Sequence, residues 1–352
     1  MKTVNHNQLE NLIKMAYNKK LPLFIHGAIG IGKSESVKVV AQTIAKDNKL
    51  EFSDHMEHDG KFCFVDVRIS QLDSTDLRGI PTIDGKTTRW VTPNWLPNRQ
   101  TSKGILFFDE LNLAPPSIQS SCYQIILDRR LGDYVLPDGW VIVSAGNRME
   151  DRANIFDLPM PLANRLMHIE LRIPEVSEWV EWALKHDIDS RIITYLNFKN
   201  HLYTFNDKNK DKAFATPRTW EYCSKMIKGI DDLDQLNILV SSCVGEAIGI
   251  EFTAYIKLKD SIDMEDIIKN PSKAKIPEDI SVRYAIVSNL LERFRKDKKI
   301  IKPILEVSNR IQPELVILLL KLIREQDSRI LNENINTKEF KDIVSNYGKY
   351  LL

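Results

Sequence analysis

The stretch "FIHGAIGIGKSES" (residues 24–36) sets three glycines, a lysine and two serines directly behind a short apolar run. Residues 21–26, "LPLFIH", read as a buried strand, and residues 33–46, "KSESVKVVAQTIAK", as a helix. The glycines could simply turn the chain between the two. Yet Gly27, Gly32, Lys33 and Ser34 also satisfy GxxxxGK followed by Ser or Thr, a phosphate-binding loop in its required strand–loop–helix setting. In such a loop the backbone from Gly27 through Ala28, Ile29, Gly30, Ile31 and Gly32 to Lys33, Ser34 and Glu35 turns N–H groups toward one anion. The helix N-terminus adds its positive dipole end. Lys33 then reaches the β- and γ-phosphates, and the Ser34 hydroxyl is offered to Mg²⁺.

A nucleotide site also needs an acidic partner at the end of a neighbouring strand. "GILFFDELN" (residues 104–112) supplies Asp109 to hold Mg²⁺ and Glu110 to polarise an attacking water. A strand ending in two solvated acids is the plainer alternative. Two adjacent carboxylates with separate tasks favour hydrolysis over nucleotide storage. "VIVSAGN" (residues 141–147) ends on Asn147, whose carboxamide can bond both water and γ-phosphate without adding charge, or merely turn the chain. Arg165 in "LANRLMHIEL" and Arg218 in "ATPRTW" carry guanidinium groups suited to the charge spread over equatorial oxygens during phosphoryl transfer. Each is equally a candidate for an ordinary surface arginine.

Further apolar runs start at residues 62, 105, 140 and 166 and alternate with helical stretches such as residues 117–128. That alternation predicts a parallel sheet covered on both faces. Leu9, Leu12, Ile13 and Ala16 predict a helix ahead of the first strand. Two excursions break the rhythm. Residues 80–90 carry Asp84-Gly85 between strand-suited residues, a hairpin signal, and residues 129–143 read as a second hairpin running into a strand. Beyond residue 172 strand signals cease, and residues 176–187, 217–230, 236–258 and 314–326 read as helices. The chain therefore divides into residues 1–172, with hairpin insertions at about 80–90 and 130–140, then 173–265 and 266–352.

With 352 residues, 43% hydrophobic and 28% charged, the chain has ample material for packed cores and an ordinary polar surface. A formal net charge of +1 supplies no global field for nucleic acid or anionic membrane. Cys63, Cys122, Cys223 and Cys243 form no CxxC pair, which points to reduced, buried thiols. The opening residues lack the apolar core of a signal peptide, and the apolar run at 315–320 is far too short for a bilayer. The expected location is cytoplasmic.

Taken together and in order, "GAIGIGKS", "VDVRISQLDSTDLRGIP", "ILFFDELNLAPPSIQS", "LDRRLGDYVLPDGWVIVSAGNR", "PLANRLMHIEL" and "ATPRTWEYCS" resemble an AAA+ ATPase, and more narrowly its MoxR-type branch. The resemblance covers about the first 225 residues. It implies an α/β fold: an αβα sandwich with a five-stranded parallel sheet, followed by an all-helical lid and a C-terminal helical region, assembled as a ring, commonly a hexamer. It implies ATP and Mg²⁺ as cofactors. It assigns Lys33 and Ser34 to Walker A, Asp109 and Glu110 to Walker B, Asn147 to sensor 1, Arg165 to an arginine finger that enters a neighbour's site, and Arg218 to sensor 2. Arg148 and Arg152 lie close enough to compete for the finger. Relatives of this branch turn the two hairpins toward the ring's pore or axial surface, and act on a protein client, often with a von Willebrand A domain partner.

The leading expectation is a Mg²⁺-dependent ATPase that remodels or activates a protein. An ATP-driven nucleic-acid motor or loader is the alternative, for which Lys86, Arg89, Arg129 and Arg130 are the basic candidates. A binding-only scaffold has little use for Glu110. The weaker signals have plainer explanations. His55 and His58 lack a cluster of further metal ligands, Trp90, Trp95 and Trp140 suit a core, and the basic run at 293–299 suits a solvated helix end.

Overall fold

The computed structural model describes residues 1–54, 58–151, 155–206, 211–258 and 262–347. His55 and Arg152, named above as candidates, lie outside the described residues. Two compact units divide the chain, Met1–Pro174 and Glu175–Leu352.

The first unit is built on a sheet of seven strands, all paired parallel: β1 (Thr3–Val4), β2 (Leu23–Gly27), β3 (Glu51–Ser53), β4 (Lys61–Arg68), β7 (Lys103–Asp109), β10 (Gly139–Gly146) and β11 (Met167–Leu171). Their order is β1-β11-β2-β10-β7-β4-β3. The sheet thus has seven strands rather than the expected five. The five runs legible in sequence are the inner ones, and β1 and β3 extend the two edges. Segments of two and three residues are too short for an apolar run to register. Interior strands β2, β7 and β10 read as near-continuous apolar runs because helices cover both faces.

Helix α1 (His6–Lys19) starts at a capping box between Asn5 and Gln8 and buries Leu9, Ile13 and Ala16. It packs beside α2 (Lys33–Asp47), which lies over β3, β4, β7 and β10. Next to α3 (Ser74–Arg78), α4 (Pro116–Asp128) inserts Ile118, Cys122, Ile125 and Ile126 into a cluster with Phe24, Val65, Phe108, Trp140 and Ile142. Proline in the first turn of α4 suits a position whose N–H has no helical partner.

The first hairpin pairs β5 (Ile80–Asp84) with β6 (Thr87–Val91), and every residue in both strands is exposed. Its two turn residues are Gly85, at φ 61°, and Lys86, one position beyond the dipeptide that signalled it. The second hairpin is minimal, β8 (Arg130–Leu131) against β9 (Tyr134–Val135). Of the three tryptophans, Trp140 is fully buried, Trp95 is half-buried, and Trp90 is exposed on β6.

The second unit is helical: α6 (Val176–Lys185), α7 (Ser190–Lys199), α8 (Pro217–Ile227), α9 (Leu233–Val244), α10 (Glu246–Leu258), α11 (Met264–Lys269), α12 (Ile280–Lys296), α13 (Ile301–Ser308), α14 (Pro313–Gln326), α15 (Ser328–Glu333) and α16 (Lys338–Tyr347). The remaining helix, α5 (Met160–Ala163), belongs to the first unit. Residues 236–258, which read as one helix, are two: Gly245 at φ 105° ends α9 and lets α10 fold back against it. One apolar core runs from Trp179 to Ile343, so residues on either side of 265 pack together. Within the basic run at 293–299, Phe294 is buried, and Arg293, Arg295 and Lys296 pair with Glu265, Asp187 and Glu292.

No helix among the described residues is long and apolar enough to cross a membrane. Cys63, Cys122 and Cys223 are buried, Cys243 is half-buried, and all four are free thiols.

Candidate functional site

Parallel β2, β7 and β10 end on the same edge of the sheet, and each ends in a polar residue or a loop. Topology therefore gathers residues 27–35, 109–112 and 147 into one place.

The loop after β2 owes its path to glycine. Gly30 and Gly32 adopt φ 73° and 94°, backbone conformations that a β-carbon strongly disfavours. Gly32 is also the N-cap of α2, so the first amides of that helix face the loop without a side-chain cap. From α1, His6 donates through Nε2 to the carbonyl of Ile31 at 2.8 Å and braces the loop from outside. Glu35 lies in the first turn of α2, where its charge complements the helix dipole.

Lys33 is buried, and its ammonium donates to Gly27 O at 2.8 Å, Ala28 O at 2.9 Å and Asn147 Oδ1 at 3.0 Å. Ser34 Oγ donates to Asp109 Oδ2 at 2.9 Å, and the backbone N–H of Glu110 donates to Asp109 Oδ1 at 2.9 Å. Hydroxyl and carboxylate oxygens at this separation are hard donors of the kind Mg²⁺ takes. The donor set therefore fits Mg²⁺ bound together with a nucleoside triphosphate. No cluster of three or more His, Cys, Asp or Glu among the described residues could hold a metal by itself.

Glu110 caps a short 3-10 turn (Leu111–Leu113) in the left-handed region, at φ 56° and ψ 32°. One carboxylate oxygen accepts from Ser70 Oγ at 2.5 Å. Asn147 is held by a neighbour: Asn112 donates from Nδ2 to Asn147 O at 2.8 Å and accepts from its N–H at 3.2 Å. Gly146 makes this clamp possible, because a β-carbon there would lie 2.2 Å from Asn112 Oδ1. Partial desolvation, then the charge of Asp109, pushes the Asp66 carboxyl at the end of β4 up to about 6.

Not every candidate joins this group. Arg165 is exposed after α5, its guanidinium 5.1 Å above the ring of Tyr123 on α4. Arg148 is engaged locally, donating from Nη2 to buried Asp151 at 3.1 Å. Arg218 belongs to the second unit and is exposed at the second residue of α8, behind a capping box from Thr216 to Thr219.

Sequence reasoning passed over Asn112, Ser70, His6 and Tyr123. Asn112 stood inside the quoted acidic stretch, as a carboxamide among apolar residues. Ser70 meets Glu110 across 40 residues, and His6 meets Ile31 across 25, so spacing carried no signal for either.

No family model matches the sequence, and no curated protein matches it. Among solved structures the chain is similar to a RuvB variant from Thermotoga maritima, at 15% identity over 81% of this chain and 80% of that one, with a TM-score of 0.36. It is also similar to NtrX from Brucella abortus in complex with ADP, at 14% identity over 97% of this chain and 68% of that one, with a TM-score of 0.39. Likeness this slight carries no argument, and the reading of the site rests on its own geometry.

Proposed function

We propose that the chain is a Mg²⁺-dependent ATPase of AAA+ type, close to the MoxR branch, that works as a ring and remodels or activates a protein partner. The observation that carries this reading is the convergence of Lys33, Ser34, Asp109, Glu110 and Asn147 from three separate strand ends.

The loop N–H groups and Lys33 bind the β- and γ-phosphates, Lys33 exchanging its loop carbonyls for phosphate oxygens. Ser34 and Asp109 would hold Mg²⁺, which supplies charge neutralisation on the phosphates when bound. Glu110 orients the attacking water and takes its proton through the oxygen that Ser70 leaves open. Asn147 fixes water and γ-phosphate together, with Asn112 holding its backbone in place. Arg165 completes the site of a neighbouring subunit, and Arg218 contributes from residues 173–265 acting as a lid; residues 266–352 extend that unit. Six subunits and a partner bearing a von Willebrand A domain follow the resemblance, as does ATP over GTP.

A protein partner suits the exposed hairpin better than nucleic acid does. Ile83 is 89% exposed and Ile80, Trp90 and Val91 are exposed beside it, against only Lys86 and Arg89 as cations. Aliphatic tips suit polypeptide, whereas a phosphate backbone calls for a denser basic stripe.

A ligand that binds only the native state stabilises it by about 2.7 kcal/mol at a hundredfold excess over its Kd. Wild type should therefore melt higher with Mg-ATP, and Lys33→Ala should lose that upshift. Glu110→Gln should keep the upshift and lose steady-state hydrolysis. Equal upshifts in wild type and Lys33→Ala, or hydrolysis by Glu110→Gln within a few-fold of wild type, would count against this reading.

A further inference from the structure

The first unit holds two histidine rings in direct contact that none of the steps above uses. His26 Nε2 on β2 lies 3.0 Å from His168 Nδ1 on β11, and His168 Nε2 lies 2.7 Å from the carbonyl of Ala163. A carbonyl can only accept, so His168 carries its proton on Nε2. Its Nδ1 then accepts in the neutral ring, and His26 donates from Nε2. The two bonds thus assign both tautomers without a net charge on either ring. Burial, then the nearby His168 and Lys33, lower His26 to about 4, which keeps it in that neutral form near pH 7.

Both ends of this link are functional landmarks. His26 directly precedes Gly27, whose carbonyl holds Lys33. Ala163 is the last residue of α5, two positions before Arg165. Fully buried Phe24 lies 4.3 Å from the ring of His26 and 5.8 Å from that of His168, which keeps the rings side by side. Both rings are half-buried, and partly desolvated polar rings lose less by being bonded to each other. The pair joins the strand that leads into the loop at Gly27 to the turn two residues before Arg165, and that placement points to a role beyond packing.

We propose that His26 and His168 are positioning residues that tie the phosphate-binding strand to the turn carrying Arg165, so that the state of one subunit's loop sets the aim of the arginine it offers to the next subunit. The proposal rests on the reading of Arg165 given above. It makes the pair a device of the arginine-donating subunit, separate from that subunit's own catalysis.

The test uses the full chain. His168→Gln keeps an N–H donor for Ala163 but places its acceptor, the amide oxygen, one bond further out than the Nδ1 that faces His26, whereas His26→Gln keeps the donor that faces His168. His168→Gln should bind Mg-ATP with wild-type affinity yet hydrolyse it about tenfold more slowly or worse, since small misplacements at a reacting centre carry losses of that order. His26→Gln should stay within a few-fold of wild type. Mixing then separates the two sides of the interface. With Glu110→Gln subunits, His168→Gln should regain activity, because its intact Glu110 meets a well-aimed arginine. With Arg165→Ala subunits it should not, because neither partner brings one. Full activity of His168→Gln alone, or no recovery with Glu110→Gln despite co-assembly, would overturn the proposal. Wild-type activity in Arg165→Ala itself would sink the reading of Arg165, and the proposal with it. If His168→Gln does not fold, His26→Phe, which keeps a ring on Phe24 and removes the donor, carries the same expectations.

Discussion

Glu110 occupies a left-handed backbone conformation that costs an L-residue about 1–2 kcal/mol. Backbone strain of this kind tends to gather where a side chain must be aimed, and here it brings the carboxylate to Ser70 while the N–H turns back to Asp109. His26 offers a pH test at the same scale. Its folded pKa, about 4, lies below the ordinary imidazole value of 6.5. Between those values the unfolded chain binds the extra proton and the folded chain does not. Stability from this group is therefore full above pH 6.5 and drains as pH falls toward 4. Urea unfolding from pH 7.5 down to pH 4.5 should show wild type losing more stability than His26→Gln, which cannot titrate. Parallel pH profiles for the two proteins would show that His26 contributes nothing to acid sensitivity.

Strand β10 shows how an element can be chosen for a neighbour's sake. Its last residue, Gly146, leaves room for Asn112 Oδ1 on one side and for Phe24 on the other, at 2.2 and 2.7 Å from where a β-carbon would stand. The clamp on Asn147 depends on that gap. Gly146→Ala should cost about 1–3 kcal/mol, as overpacking of a tight interior does. Because it displaces Asn112, hydrolysis should fall while the thermal upshift with Mg-ATP persists. A variant with wild-type melting temperature and turnover would mean the gap is not needed. Nothing in "VIVSAGN" distinguished this glycine from a turn residue, since the atoms that crowd it lie 34 and 122 positions away along the chain.

At the scale of the whole molecule, the second unit has its own core, including Trp220, Phe252, Leu290 and Leu319, all fully buried. A domain with a core of this kind can fold alone. Residues 175–347 expressed by themselves should give a helical circular dichroism spectrum and a cooperative melt; a broad, non-cooperative melt would mean that its order depends on the first unit. Residues 1–174 carry Lys33, Ser34, Asp109, Glu110, Asn147 and Arg165, whereas Arg218 stands in the second unit.

Local chemistry was legible wherever one short segment carried the whole cause. Glycines at 30 and 32 announced a permissive loop, which the structure builds with positive φ; the apolar runs announced the inner strands, and the acids at 109 and 110 announced a strand end. These features depend on neighbours within a few residues, which is the range that periodicity and turn chemistry report. Tertiary structure alone decided the edge strands β1 and β3, the break of α9 from α10 at Gly245, and the partners Ser70, Asn112 and Tyr123. It alone joined His26 to His168 across 142 residues. A parallel sheet brings distant segments side by side through its crossover connections, and no local preference records which side chains will meet there.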